Sequence, residues 1–447
     1  MIRRIFYAMS FYFSRLFYIL GGIIVGIFII AFFEPVLMQV ALLCGGCLAV
    51  VTLIDAAFIF SRKHPVVAER ICTERFSNGD ENMVTIRIIN RLAYKIKIQI
   101  IDELPKQFGD ETAEMELQLD GRDSVALPYT LRPVERGEYV FGLINIMLHT
   151  PLNMMVRHIK TGEEKKVSVY PSYMQMRRFH LKAIAGQLRE TGERALRKIG
   201  NSLEFEQIKD YVIGDDSRNI NWKATARGNS LMVNNFMDER SQQVICLIDK
   251  GRTMKMPFKG MTLLDHAINA TLVLSNIVLY KQDRAGMISF GKKVDQYVPP
   301  DKKSAQLSLL MEALYRQRTD FLDTDFGALY AAVRYRVKQR SLLILFTNFE
   351  SMYGMERQLP YLKKLSSHHA VLVVFFENTE LADVQQMEAN SVEQVYLKAI
   401  ANKFALEKRL IVKELQKNGI MALLTSPEKL NTNTINKYLE MKTRQAW

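Results

Sequence analysis

The densest concentration of chemistry-bearing side chains is the run YVIGDDSRNINWKATAR, from Tyr211 to Arg227. Gly214 permits a tight bend, Asp215 and Asp216 are placed to cap a following turn, and Arg218 and Arg227 can each hold a carboxylate through two parallel hydrogen bonds. Trp222 is expected to act as an apolar anchor, with Asn221 and Lys223 on either side of it. Two readings stay open: a self-satisfied ion-pair knot joining two domains, or an exposed site for a partner. Patterns of catalysis are poor elsewhere. The run GMISFGKK from Gly286 to Lys293 resembles a phosphate loop, but its spacer reads as a strand and Lys293 stands where a Ser or Thr is needed. The histidines lack metal-ligand spacing, and neither a GxSxG elbow nor an HExxH helix occurs. No enzymatic activity is expected from these signals.

Two patterned regions flank the motif. From residue 66 to 172, alternating runs at Val84–Ile88, Tyr94–Ile101, Ser124–Leu131, Glu138–Ile144 and Lys166–Tyr170 are separated by turn signals such as Asn78-Gly79-Asp80. Short strands at this spacing predict an immunoglobulin-like β-sandwich. From 241 to 447, apolar strands at Val244–Ile248, Ala285–Phe290, Leu342–Phe346, Ala370–Phe376 and Ile420–Leu424 alternate with helical stretches, the signature of a doubly wound α/β domain. Residues 173–240 are then a connector carrying the motif. In such a sheet ligands approach the carboxyl ends of the strands, which marks Asp249 to Thr253 and Thr347-Asn348 as the functional edge.

The motif resembles that of the bacterial "domain of unknown function 58" family: an aromatic residue, Gly-Asp-Asp, Arg, Ile, Trp-Lys and Ala-Arg are met by Tyr211, Gly214, Asp215, Asp216, Arg218, Ile220, Trp222, Lys223, Ala226 and Arg227. Arg136-Gly137-Glu138-Tyr139 and Val169-Tyr170-Pro171 match further elements of that pattern. The resemblance implies a paired membrane helix, a β-sandwich and a von Willebrand factor A-like domain, often acting beside a MoxR-type AAA+ ATPase. Such A domains build a metal-ion-dependent adhesion site from a DxSxS loop, a distant Thr and a distant Asp. Here the loop is Asp249-Lys250-Gly251-Arg252-Thr253; Thr324 fits the distant Thr, and Asn348 stands where the Asp is expected. With one hydroxyl and one carboxylate lost, Mg²⁺ is at most weakly held and no cofactor is expected.

The first sixty residues hold two apolar runs, about 16–33 and 36–54, broken by Glu34-Pro35. They predict a transmembrane helical hairpin within residues 1–62. Arg3, Arg4 and Arg15 precede it and Arg62 and Lys63 follow it, so the positive-inside rule places the soluble domains in the cytoplasm of a bacterium, at its inner membrane. Asp55 is expected at the membrane interface, and Cys44 and Cys47, in CGGC, as small packing residues rather than a dithiol. The net charge of +13 suits a domain held against an anionic leaflet, without specific nucleic-acid binding. The fold class expected is therefore multi-domain: helical hairpin, β-sandwich, α/β domain. The function expected is a membrane-anchored interaction scaffold working with the ATPase on envelope-associated complexes, the alternative being a hydrolase or metal-dependent enzyme with an unrecognised site.

Overall fold

A computed structural model describes residues 11–109, 113–184, 199–212, 217–228, 230–237, 242–387 and 391–444. The chain forms two compact units, Met1–Tyr170 and Pro171–Trp447.

In the first unit, strand β1 (Phe11–Phe13) precedes two apolar helices, Arg15–Ala31 and Pro35–Phe60. The second is strongly apolar, with mean hydropathy 2.3 over Val36–Phe60 and little of that stretch buried. It runs past the expected end near residue 54, because its last turn has a folded partner. The Asp55 side chain is 0% exposed and accepts hydrogen bonds from the backbone N–H groups of Leu152 (3.2 Å) and Met154 (3.1 Å). Arg157 donates to the carbonyl of Ile59 (2.8 Å), left without an intrahelical donor in the last turn, and to those of Arg62 (3.0 Å) and Lys63 (3.2 Å) just beyond the helix. Asp55, expected at the membrane interface, is thus a buried carboxylate that holds two backbone N–H groups of its own unit.

Ten further strands follow: β2 (Val66–Ile71), β3 (Arg75–Ser77), β4 (Asn82–Asn90), β5 (Ile96–Asp102), β6 (Ala113–Leu119), β7 (Ser124–Leu131), β8 (Gly137–Phe141), β9 (Ile144–His149), β10 (Met155–Thr161) and β11 (Lys165–Tyr170). They form sheets of order β1-β10-β9-β5-β6, β2-β4-β7 and β3-β11-β8. The period-two burial of β4 and β5 puts Ile86, Ile88, Ile96, Ile98 and Ile100 into one core with Ile144, Ile146 and Leu148, and Ile59 of the long helix joins it. The single run Glu138–Ile144 is in fact two strands, β8 and β9. The chain breaks at Gly142, whose N–H is drawn to the Glu103 carbonyl (3.0 Å). Within this unit Asp102 is fully buried between Arg70 and the Tyr129 hydroxyl. The paired guanidinium is what allows a carboxylate to be buried there.

The second unit opens with the helix Tyr173–Ile184, whose Tyr173, Met176, Phe179 and Ala183 face the core of the sheet that follows. A two-stranded hairpin, β12 (Ile199–Asp210) with β13 (Met232–Met237), carries the motif at its turn. Next come β14 (Gln243–Asp249), the two-residue strands β15 (Pro257–Phe258) and β16 (Met261–Thr262), then β17 (Arg284–Phe290), β18 (Val294–Asp301), β19 (Leu342–Phe346), β20 (Ala370–Phe376) and β21 (Met421–Thr425). The main sheet has order β18-β17-β14-β19-β20-β21, parallel except for β18.

Its strands are continuous apolar runs because both faces are covered. Val244, Cys246 and Ile248 face one core, while Ile245 and Leu247 face the other. The helix Leu263–Tyr280 is apolar enough to pass for a membrane span, yet it is 83% buried and belongs to the first of these cores. It begins at Thr262, whose hydroxyl oxygen accepts the Asp265 N–H (3.1 Å) as an N-cap. Burial pushes the Cys246 thiol up to about 12, so this cysteine is a core residue and a poor nucleophile.

Candidate functional site

Strand order fixes where chemistry can occur. After β14 the chain moves to one side of that strand, and after β18 it crosses to β19 on the other, so the carboxyl ends of β14 and β19 bound a crevice. Asp249 closes β14 and Thr347-Asn348 follow β19, and the structure does bring them together.

Asp249 is 2% exposed. Its Oδ1 accepts from the Gly251 N–H (2.8 Å) and the Thr324 hydroxyl (2.6 Å), and its Oδ2 from the Thr347 hydroxyl (2.6 Å). Burial pushes its pKa up from the ordinary carboxylate range, against the downward pull of these three donors. Gly251 is required here because a Cβ at that position would collide with the Thr324 hydroxyl. A Ser at 251, as the adhesion pattern asks, is incompatible with this packing.

The other residues of the degenerate adhesion pattern make different contacts. The Thr347 hydroxyl, not that of Thr253, reaches the carboxylate; Thr253 contributes its carbonyl, which accepts from Asn348 Nδ2 (3.2 Å). Asn348 Oδ1 is occupied by the ammonium of Lys408 at 2.7 Å. Lys408, in the helix Val392–Lys417, was not among the candidates read from sequence. Its only sequence signal is a lysine on a helix whose Ala401, Ile411 and Leu415 are buried. Lys250 is equally committed: it is 5% exposed, donates to the Arg318 carbonyl (2.9 Å) and pairs with Asp295. Arg252 is exposed.

This donor set does not suit Mg²⁺, which asks for six oxygens in octahedral array and usually carboxylate charge. The crevice offers one carboxylate, already satisfied by three donors, and an asparagine whose oxygen is held by a cation. Among the described residues, no group of three or more His, Cys, Asp or Glu side chains gathers as a metal site.

The motif hairpin is the second candidate. Gly214, Asp215 and Asp216 lie outside the described residues. Tyr211 donates its N–H to the Leu231 carbonyl (2.7 Å), which extends the β12–β13 ladder to the turn. Arg218 falls in a 3₁₀ turn, Ser217–Asn219, after which Ile220 bridges to Val233.

Asn221 then caps the short helix Trp222–Thr225: its Oδ1 accepts the Ala224 N–H (3.0 Å) and its Nδ2 donates to Asn234 Oδ1 (2.8 Å) on β13. Thr225 closes the arrangement by accepting the Met232 N–H (3.0 Å). What this scaffold does is hold Trp222 outward, at 69% exposure. Of the two readings open for the motif, this exposure sits with Trp222 as an anchor offered to a partner. Lys223 and Arg227 are exposed on either side of it.

The run GMISFGKK is a strand and its turn: Gly286 to Phe290 lie in β17, and Gly291 receives the Asp325 N–H (3.0 Å). Cys44 and Cys47 lie on the helix Pro35–Phe60.

Residues 207–408 match the model of the family described as "Protein of unknown function DUF58", a span running from the motif hairpin to Lys408. The uncharacterised protein YeaD of Bacillus subtilis (strain 168) is 22% identical over 221 residues, covering 48% of this chain and 53% of YeaD. The chain therefore matches about half the length of that relative. Both findings support the family resemblance drawn from the motif. Among solved structures, proximal thread matrix protein 1 from the mussel byssus is 13% identical with TM-score 0.25, covering 45% of this chain and 47% of that one. The CARDB domain of a Pyrococcus furiosus protein is 13% identical with TM-score 0.17, covering 24% of this chain and 93% of that one. At such scores these likenesses carry no argument about fold or function.

Proposed function

We propose that this chain is a membrane-anchored docking module, which captures a protein partner through the motif hairpin and works with a MoxR-type AAA+ ATPase. The observation that carries the reading is the display of Trp222. A large aromatic side chain held 69% exposed by the two asparagines Asn221 and Asn234 has no packing role of its own. Trp and Arg are the residues that dominate binding hot spots. Lys223 and Arg227 beside it favour an acidic face on the partner and a fast, charge-steered encounter.

Anchoring is supported by the apolar helix Pro35–Phe60 and by the basic residues at both outer flanks of the helix pair, which favour a bacterial inner membrane with the folded units in the cytoplasm. In this reading the first unit is a β-sandwich and the second an A-type domain that uses charge where its relatives use an ion. The test is co-purification of the full chain with the ATPase. Capture should weaken about tenfold or more when salt rises from 0.05 to 0.5 M, as screening shortens the reach of the exposed cations, and should survive EDTA. Capture indifferent to salt but lost on chelation contradicts the proposal.

A further inference from the structure

The carboxyl ends of β19, β20 and β21 open into a cleft of about 550 Å³. Its apolar wall includes Met256, Phe376, Leu381, Phe404 and Leu424. Volume and lining fall in the range of sites that enclose small organic groups. Lys408 enters it from the helix Val392–Lys417, its ammonium 5.7 Å from the centre of the Phe375 ring. An ammonium carries three N–H donors. Among the described residues, Asn348 Oδ1 is its one hydrogen-bond partner. Glu350 and Glu407 act on it only at charge–charge range, and Glu407 already accepts the Met352 N–H (2.9 Å).

Burial lowers the Lys408 pKa to about 8, a sign that the protein itself leaves this cation under-compensated. A desolvated charge short of acceptors is costly, and an anionic group arriving in the cleft would relieve that cost. Arg409, also on the lining, adds a second cation, whereas Glu350 and Glu377 oppose any ligand with several negative charges. Repulsion by these two carboxylates grows with the ligand's charge, which favours a singly charged carboxylate over a phosphate.

We propose that this cleft binds one carboxylate carried on an apolar body, with Lys408 Nζ holding the carboxylate and Phe376, Leu381, Phe404 and Leu424 enclosing the apolar part. The source is either a free aryl or alkyl carboxylic acid or an acidic terminus of a peptide. The site is separate from the displayed Trp222, and its test does not involve the ATPase.

The full-length chain, reconstituted in nanodiscs, is exposed to a sub-stoichiometric acetylating reagent, and acetylation of Lys408 is followed by mass spectrometry. Four probes are added in turn: 3-phenylpropanoate, 3-phenylpropanamide, N-acetyl-alanyl-phenylalanine, and the C-terminal amide of that dipeptide. At least one carboxylate should slow Lys408 acetylation about fivefold or more while its amide does not, and which acid acts identifies the source. Equilibrium dialysis of the protecting acid should show about tenfold weaker binding to Lys408→Met. The proposal is overturned if acids and amides act alike, if neither acid protects, or if Lys408→Met binds the acid as well as the wild type does. The protection experiment needs no variant, so a folding defect in Lys408→Met leaves the proposal open to refutation.

Discussion

Replacing Asp249 separates a hydrogen-bonded knot from a metal site. In Asp249→Asn, Oδ1 can still accept from Gly251 N–H and the Thr324 hydroxyl, while the new Nδ2 meets the Thr347 hydroxyl, which rotates to accept. The stability change should fall within about 1 kcal/mol of zero. Asp249→Ala instead leaves three donors without their acceptor, at about 1–3 kcal/mol for a buried donor that finds no other; the two hydroxyls can recover part of this, so about 2–5 kcal/mol is expected. The readout is urea-dependent hydrogen exchange at the buried amides of β14, which confines the measurement to this sheet.

The pH dependence has a definite sign. The folded-state pKa of Asp249 is raised, so the unfolded chain loses this proton first, and wild-type stability falls relative to Asp249→Asn as pH rises from about 4 to the folded value. Below that window the difference no longer changes with pH. Magnesium supplies the opposing test. At 10 mM, a site with a 1 mM Kd adds about 1.4 kcal/mol and a 10 µM site about 4 kcal/mol. The single satisfied carboxylate permits at most the smaller figure, and a gain near the larger one that disappears in Asp249→Asn would show a working metal site.

Two further outcomes follow from the first unit. Asp55→Ala removes the acceptor for the Leu152 and Met154 N–H groups and should destabilise this unit by about 2–5 kcal/mol, read as faster exchange of those two amides; unchanged exchange would show that the cap is dispensable. A reporter fused after Trp447 should behave as cytoplasmic, and periplasmic activity would overturn the proposed orientation.

Much of the second unit was legible because fully buried parallel strands read as unbroken apolar runs: Ala370 to Phe376 lies entirely in the core, and the helix Leu263–Tyr280 fills one of the helical stretches expected between such runs. The antiparallel edge strand β18 was missed because Pro299 and Pro300 read as a break. An edge tolerates them, and the ladder is irregular between Ala285 and Met287. Strand β1 was hidden for a different reason: three aromatic residues ahead of an apolar helix gave no sign that they pair with Met155 to Arg157.

At the crevice, the resemblance to A domains is what singled out Asp249, Thr324 and Asn348, yet the roles of Thr347 and Lys408 depend on tertiary contact. Lys408 meets Asn348 across sixty residues of chain, and no local pattern encodes that meeting. Trp222 stands out in the sequence as an apolar anchor, but its exposure beside the asparagine pair becomes visible only once β13 is folded against the turn.

If the motif hairpin is a docking surface, Trp222 must carry much of its affinity. Affinity of the full chain for the MoxR-type ATPase should be measured for the wild type and for Trp222→Ala, together with the unfolding of each. Loss of a hot-spot tryptophan costs about 2 kcal/mol or more, so the account predicts at least about a thirtyfold rise in Kd. The unfolding midpoint should stay unchanged, because the side chain is already solvated. Equal affinities, or a loss of binding that merely tracks a loss of stability, would contradict it.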